Sequence, residues 1–303
     1  MLFDKILTME IELSGKILKT QTADGYELDG ILFEPKDKNS IVIIHFHGKE
    51  GDFLQNHFIF SMAEVYPKNG FAFASVSHRG RSYIADILRK SATGYQYTQM
   101  GSAYDVFEDS LYDIDAWVNF FSARGYKKII LQQHSTPQKI LWYAYKRKPK
   151  NLSALILISP GDVAYAFEKW VPDYKKNLVI SEKMVKNGKG NDLMSVNLWS
   201  NCPVSARTFY NWGNPKSNIQ VFNYARPQLG FKYFPKVTYP MIAILADDDF
   251  SVGNPSDECL HLLKQHSKSK IFETALIKGT NHGYQGKEDF LARTIVNWLD
   301  FTK

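Results

Sequence analysis

Ser135 stands in a sequence setting that can make a serine hydroxyl reactive. It belongs to the segment Gln133-His134-Ser135-Thr136-Pro137, which joins an apolar, strand-like run to a helical run. A serine on such a sharp turn projects its hydroxyl above the strand end, and the first backbone N–H groups of the following helix face the same space. The setting predicts a nucleophile, provided that the chain also supplies a base and an acid.

A histidine and several aspartates follow later strands in the same way. His282 lies in the loop between the last predicted strand and the last predicted helix, and three consecutive aspartates at 247–249 follow the strand before it. Asp162, after an earlier strand, is a fourth candidate acid. Because ligands of open α/β sheets bind above the carboxyl ends of the strands, we expect these side chains to converge there with Ser135.

The elements that must position these residues alternate between strand and helix patterns. A turn at Asp24-Gly25 joins two alternating runs, 16–22 and 26–33, into a predicted hairpin. Short apolar runs predict strands at 41–45, 71–76, 128–132, 152–158, 241–245 and 271–277, and helical spacing predicts helices at 54–69, 105–123, 138–145, 257–266 and 287–301. This order predicts an α/β fold with a mostly parallel central sheet, an N-terminal antiparallel hairpin and helices on both faces.

The alternation stops between residues 161 and 236. A loop of 76 residues is rare in a compact fold unless it forms its own substructure. We therefore expect a cap with helices of its own at 161–236, inserted into a core formed by 1–160 and 237–303. Three of the six tryptophans fall in this segment, namely Trp170, Trp199 and Trp212. Concave ligand sites are commonly lined by aromatic side chains, although ordinary packing explains any one of them equally well.

The turn at Ser135 resembles the nucleophile turn of the α/β-hydrolase superfamily. The family pattern is Gly-x-Ser-x-Gly, and Gln133 and Pro137 replace its glycines here. Those glycines relieve crowding between strand and helix, so Gln133 must find room and Pro137 restricts Thr136. Proline is nevertheless tolerated in a first helical turn, and Thr136 keeps its N–H group. Among α/β hydrolases, His134-Ser135-Thr136 and Ser159-Pro160-Gly161-Asp162 are similar to the branch that includes fungal siderophore esterases and bacterial relatives.

The resemblance implies a catalytic triad. The family's Gly-x-x-Asp-x-x-Val turn corresponds to residues 246–252, which makes Asp249 the triad acid, and the family order of serine, aspartate and histidine makes His282 the base. Neutral His282 would take the Ser135 proton, while Asp249 would hold the histidine tautomer and stabilise the imidazolium. The product would be an acyl-enzyme that water then hydrolyses.

The segment His45-Phe46-His47-Gly48-Lys49 resembles the family's oxyanion loop. The resemblance implies that the backbone N–H groups of Lys49 and Thr136 stabilise the tetrahedral oxyanion. The residues expected to contact substrate are His47, Gly48, His134, Arg207 and Arg226. A metal-binding pair of His45 and His47 is a competing interpretation, but no third ligand stands nearby in sequence. We expect neither a metal nor another cofactor.

Composition and charge exclude several other classes of protein. The 303 residues are 44% hydrophobic and 22% charged, which is typical of a globular chain. No apolar run is long enough for a membrane helix, and residues 1–20 lack a signal-peptide pattern, so we expect a cytoplasmic protein without a membrane partner. Two cysteines make neither a disulfide framework nor a zinc site. The net charge of +6 comes without a nucleic-acid-binding module, so no nucleic-acid partner is expected.

The positive charge is concentrated in the predicted cap. Residues 161–236 contain 11 Lys and Arg against 5 Asp and Glu, and the rest of the chain is balanced. This distribution suggests an anionic substrate, which Arg207 and Arg226 could bind because a guanidinium can grip a carboxylate with two hydrogen bonds. A solvated lysine surface that serves only solubility is the competing interpretation.

These observations favour a serine hydrolase that acts on a carboxylic ester or thioester of a small organic molecule. A catalytically silent ligand-binding protein with the same fold is an alternative, supported by Gln133 and Pro137. Hydrolysis of an amide or carbon–carbon bond is another, because it needs the same triad. The sequence does not specify the acyl group or the oligomeric state.

Overall fold

An eight-stranded sheet lies at the centre of the computed structural model, which describes residues 13–37, 39–199 and 201–302. Its strands lie in the order β1-β2-β4-β3-β7-β8-β9-β10. They are β1 Lys16–Gln21, β2 Glu27–Phe33, β3 Ile41–Phe46, β4 Ala72–Val76, β7 Lys128–His134, β8 Leu152–Ile158, β9 Met241–Asp248 and β10 Phe272–Asn281. All pairs from β4 to β10 are parallel, whereas β1 pairs antiparallel with β2, and β2 with β4. The predicted hairpin and mostly parallel sheet are confirmed.

Helices cover both faces of this sheet because the central strands are apolar on both sides. In β3, Ile41 and Ile43 belong to one buried cluster, while Val42 and Ile44 belong to another. The first cluster includes residues of α1 Phe58–Lys68 and α8 Glu288–Leu299. The second includes residues of α2 Ser110–Ala123, α3 Gln138–Arg147 and α7 Ser256–His266. The expected helices on both faces are thus present.

A second, two-stranded sheet was not predicted. It consists of β5 Ala85–Ser91 and β6 Gly94–Met100, which pair antiparallel. Most of their side chains are exposed or half-buried, so the sequence lacks the alternation that marks a half-buried strand. This hairpin follows the loop after β4, close to the carboxyl ends of the parallel strands.

The segment between β8 and β9 contains three helices, α4 Val163–Trp170, α5 Tyr174–Lys186 and α6 Ala206–Gly213. The side chains of Asp162 and Ser205 accept hydrogen bonds from backbone N–H groups in the first turns of α4 and α6, as N-cap residues do. Tyr174 donates a hydrogen bond of 2.5 Å from its hydroxyl to the carbonyl of Gly213 and joins α5 to the end of α6. Within the described ranges, every helix is too short or too polar to span a bilayer. Residues 1–12, on which part of the localisation prediction rests, lie outside those ranges.

Candidate active site

Ser135 lies on a tight turn directly after β7 and just before α3. Its φ is 65°, a left-handed conformation that is uncommon for a residue with a side chain. Two backbone hydrogen bonds fix the turn, since the Ser135 N–H donates to the Ile158 carbonyl at 2.8 Å and the Thr136 N–H donates to the His134 carbonyl at 2.7 Å. A strained backbone at a polar site is a common feature of functional turns.

The two departures from the family pattern fit this turn. Gln133 is buried, and its amide donates to the His47 carbonyl at 3.2 Å and to the Thr136 hydroxyl at 3.4 Å. Pro137 has φ −65° and immediately precedes α3, where a missing N–H costs no helical hydrogen bond. Gln133 therefore has the room it needs and ties the turn to the loop after β3.

The structure brings Ser135, His282 and Asp249 into one line of hydrogen bonds. His282 Nε2 lies 3.0 Å from Ser135 Oγ, and His282 Nδ1 lies 2.8 Å from Asp249 Oδ1. An ionised Asp249 accepts the Nδ1 proton, which leaves Nε2 free to accept the Ser135 hydroxyl proton. The catalytic roles of the three residues stay predictions, but their mutual geometry is that of a nucleophile, a base and an orienting acid.

The competing acids point elsewhere. Asp247 accepts hydrogen bonds from the backbone N–H groups of Gly279 and Thr280. Asp162 accepts from the N–H groups of Tyr165 and Ala225. Among the four candidate aspartates, Asp249 is the one that accepts the hydrogen bond from His282 Nδ1.

Asp249 is held in its ionised form. Burial opposes ionisation of its carboxyl, but the neighbouring His282 and a hydrogen bond from Ser251 outweigh that effect and hold its pKa below the usual value. Ser251 donates to Asp249 Oδ1 from both its hydroxyl, at 2.7 Å, and its N–H, at 3.1 Å. The sequence analysis missed Ser251, although a hydroxyl two residues after a turn aspartate is a recognisable signal.

The loop after β3 lies against the nucleophile turn. A Cβ atom on Gly48 would lie 2.8 Å from Ser135 Cβ, so only glycine permits this approach. The next residue, Lys49, turns its ammonium to the Ser102 carbonyl at 3.0 Å and the Ser102 hydroxyl at 2.7 Å, with the Trp212 ring centroid 4.3 Å away. Burial lowers the pKa of this ammonium. The oxyanion roles of the Lys49 and Thr136 N–H groups stay predictions.

His134 and His47 are buried neutral imidazoles. His134 donates from Nε2 to the His282 carbonyl at 2.8 Å, and burial lowers its pKa to about 3. His47 stacks on His78 with ring centroids 3.9 Å apart, and burial lowers the His47 pKa to about 4. His134 lines the cavity described below and positions the His282 backbone. His47 is fully buried and does not line that cavity, and its contact with substrate stays a prediction.

His45 and His47, the alternative metal-binding pair, contact other protein groups. His45 Nδ1 contacts the Gln132 amide at 2.9 Å, whereas His47 Nδ1 contacts the Gly48 carbonyl at 2.7 Å. Within residues 13–37, 39–199 and 201–302, no three His, Cys, Asp or Glu side chains come close enough together to hold a metal ion.

A cavity of about 1160 Å³ opens above Ser135 and His282. Trp170, Trp199 and Trp212 all line it, so the three tryptophans of the 161–236 segment face one space. Residues that the sequence analysis missed complete the wall; these include Glu50, Asp52, Tyr83 and Phe250, whose ring centroid lies 4.7 Å from that of His282. Glu50 accepts a hydrogen bond of 2.5 Å from the indole of Trp199 and fixes that ring at the cavity wall.

The two arginines predicted to contact substrate lie outside the lining of this cavity. Arg226 forms an ion pair of 2.7 Å with Glu168, and exposed Arg207 packs its side chain against Gly190. Neither arginine therefore faces the cavity in this structure, and substrate contact by either of them stays a prediction. Ten of the eleven cationic residues at 161–236 are exposed, and Arg226 is half-buried.

Solved structures of esterases and other hydrolases share this arrangement of strands and helices. Est1E from Butyrivibrio proteoclasticus with ferulic acid bound is 16% identical, with a TM-score of 0.65 over 94% of this chain and 99% of that one. The α/β hydrolase GrgF from Penicillium sp. sh18 is 15% identical, with a TM-score of 0.66 over 95% and 99%. An esterase from Pyrococcus furiosus is 14% identical, with a TM-score of 0.63 over 95% and 91%.

The predicted α/β-hydrolase fold is thus confirmed by similarity across nearly the whole chain. No curated protein matches the chain in sequence. One protein family matches residues 84–300, which is more than half of the chain. The protein therefore belongs to the family described as "Protein of unknown function (DUF1749)", and it has the α/β-hydrolase fold.

Proposed function

We propose that the protein is a serine hydrolase that cleaves a carboxylic ester or thioester of a small organic molecule. The observation that supports this most directly is the pair of hydrogen bonds that link Ser135 Oγ to His282 and His282 to Asp249, at 3.0 and 2.8 Å. Both distances fall in the range required for proton transfer and for orientation of the base.

The proposed reaction has two halves. His282 removes the Ser135 proton as Oγ attacks the carbonyl carbon, and it then gives that proton to the departing alcohol or thiol. The N–H group of Lys49 is the proposed first donor to the oxyanion, and the Thr136 N–H would join it by leaving the His134 carbonyl, to which it donates at 2.7 Å in this structure. In the second half, His282 takes a proton from the water that attacks the acyl carbon, and it then gives that proton to Ser135 Oγ as the ester bond to the enzyme breaks, which releases the acid and free Ser135.

We propose that residues 161–236 act as a cap over a core formed by 1–160 and 237–303. Val163, Ala166 and the three tryptophans of this segment line the same cavity as Ser135. The tryptophans would receive a planar or aliphatic part of the substrate. One structural relative was solved with ferulic acid, an aromatic acid, bound to it.

The charges at the cavity favour a substrate without net negative charge. Three acidic residues, Glu50, Asp52 and Asp162, are among its lining residues, against one basic residue, Lys49. The exposed cations of the 161–236 segment are not among the lining residues, which supports this substrate over the anionic one that the sequence suggested. Matched neutral and anionic esters, compared by kcat/KM, test this point; faster hydrolysis of the anionic ester would contradict it.

The test of the proposed function is Ser135→Ala. We expect hydrolysis of a p-nitrophenyl ester to fall by about 10⁴-fold or more, because the nucleophile is lost while the fold tolerates alanine at a position that serine already occupies. Ser91→Ala, on the β5–β6 hairpin, is the matched control and should keep full activity. Wild-type activity in a Ser135→Ala protein with a normal melting curve would refute the proposal.

Labelling with a fluorophosphonate separates the proposal from a catalytically silent binding protein. The reagent should modify Ser135 in the wild type, because His282 activates its hydroxyl, and the modified peptide identifies the site. A folded wild-type protein that resists the reagent would favour the silent alternative. Cleavage of amide or carbon–carbon substrates in preference to esters would favour the other alternative.

A further inference from the structure

Helix α5 presents an unusual face to solvent. Its six exposed residues are Lys175, Lys176, Val179, Ile180, Lys183 and Lys186. At 3.6 residues per turn, all six lie within an arc of about 140°. Val179 and Ile180 are 52% and 38% exposed, so two β-branched apolar side chains stand between lysines from the turns before and after them.

Most of these lysines lack a counter-ion. Lys186 pairs with Glu182 at 2.9 Å, but Lys175, Lys176 and Lys183 form no ion pair with any residue in the described part of the chain. Four of the eleven Lys and Arg residues at 161–236 thus lie on this one exposed face. Such a face is complementary to a surface with dense negative charge.

The apolar side chains of Val179 and Ile180, which lie among the lysines, favour a partner that is both negatively charged and partly apolar. A surface that serves only solubility gains nothing from Val179 and Ile180, because exposed apolar side chains lower solubility. At a lipid interface, apolar side chains enter the headgroup region while lysines bind anionic headgroups. Trp170, which is 44% exposed at the end of α4, adds an aromatic side chain of the type enriched at such interfaces.

We propose that α5 docks the protein on anionic lipid surfaces, with Val179 and Ile180 entering the headgroup region and the lysines binding the headgroups. The sequence-based expectation of no membrane partner rested on the lack of a spanning segment, which does not bear on binding at the surface. Because two partly exposed side chains offer little apolar area, the binding is weak, reversible and mainly electrostatic. Trp170, which also lines the cavity, lies four residues before the start of α5.

The test is sedimentation of the full chain with lipid vesicles, which requires no enzymatic activity. We expect binding to vesicles of phosphatidylcholine mixed with phosphatidylserine, little binding to phosphatidylcholine alone, and loss of binding at high salt. The double variant Lys175→Gln/Lys176→Gln should bind roughly 30-fold more weakly, since each lysine near an anionic surface contributes several-fold. The variant Val179→Ser/Ile180→Ser should also bind more weakly.

Matched controls change the same residue types elsewhere. Lys264→Gln/Lys268→Gln removes two exposed lysines on and after α7, and Phe290→Ser removes an exposed apolar residue from α8. Both control proteins should bind as the wild type does. Failure of the wild type to bind anionic vesicles would overturn the proposal, as would equal losses in the lysine control. Binding that the Val179→Ser/Ile180→Ser change leaves intact would also overturn it, because a purely electrostatic surface would then explain the result.

Discussion

Gly48→Ala tests whether the oxyanion loop is fitted to the nucleophile turn. The added Cβ would lie 2.8 Å from Ser135 Cβ and 3.1 Å from the His134 carbonyl oxygen. Non-bonded carbon atoms are most stable about 3.5–4.0 Å apart, so the loop must move by about 1 Å. The turn itself cannot easily yield, because the Ser135 N–H is bound to the Ile158 carbonyl in the middle of the sheet.

The expected effect is a loss of catalysis much larger than the loss of stability. Displacing a positioned group by about 1 Å can cost about 10²-fold in rate, and removal of one oxyanion donor costs about 10²–10³-fold. We therefore expect kcat/KM to fall by about 10²-fold, since Lys49, the proposed donor, is the next residue. Overpacking by one methyl group typically costs about 1–3 kcal/mol of unfolding free energy.

The assay compares kcat/KM for a p-nitrophenyl ester, the rate of fluorophosphonate labelling, and urea unfolding. Gly283→Ala is the matched control: its Cβ would lie 3.6 Å from Asn281 Oδ1, an ordinary contact, although it is next to His282. We expect near wild-type rates for this control. If Gly48→Ala hydrolyses the ester as fast as the wild type, or if Gly283→Ala loses as much activity, the steric reasoning is wrong.

Three further predictions follow from hydrogen bonds and burial. Asp249→Asn should lower kcat by about 10⁴-fold with an unchanged melting curve, because an amide favours the wrong tautomer of His282; a loss below tenfold would contradict the assignment. Lys139→Met leaves Asp105 buried without the partner that lies 2.7 Å away, so urea unfolding should show a loss of about 3–5 kcal/mol, partly recovered by adding Asp105→Leu. Burial lowers the His134 pKa to about 3, whereas the same histidine in the unfolded chain has a pKa of about 6.5. Between these two values only the unfolded chain binds the proton, so the free energy of unfolding decreases as the pH is lowered, by up to about 1.4 kcal/mol per pH unit. His134→Gln should remove that component from unfolding measured between pH 6.5 and 4; an unchanged slope would contradict it.

The sheet could be predicted because its strands are buried on both faces. The runs 41–45 and 152–158 are apolar except for His45 and Ser153, and each lies within or matches an observed strand. The hairpin of β5 and β6 could not be predicted in this way, because its side chains are mostly exposed and neither strand has a face that is buried at regular intervals. Local patterns reveal an element only where burial selects residue types at a fixed period.

The candidate site shows the same division between local and tertiary information. Ser135, Asp249 and His282 follow strands directly, so their meeting point could be predicted from topology. The position of Arg226 could not, because it depends on Glu168, 58 residues away in sequence. The summed charge of the 161–236 segment follows from the sequence, but the side of the segment on which the charges lie depends on packing, which fixes the helix faces.

The missing glycines of the nucleophile turn do not argue against a reactive Ser135. Instead, the two loops that flank the turn carry glycines, and these glycines allow the loops to pack closely against it. A Cβ on Gly48 would collide with Ser135, and a Cβ on Gly161 would lie 3.1 Å from Ser251 Oγ and 3.4 Å from the Ser135 carbonyl. Gln133, meanwhile, bonds to the loop after β3 and holds it against the turn. Since the flanking loops provide the space that the family's own glycines provide elsewhere, Gln133 is better explained as a brace for the turn than as a sign of lost activity.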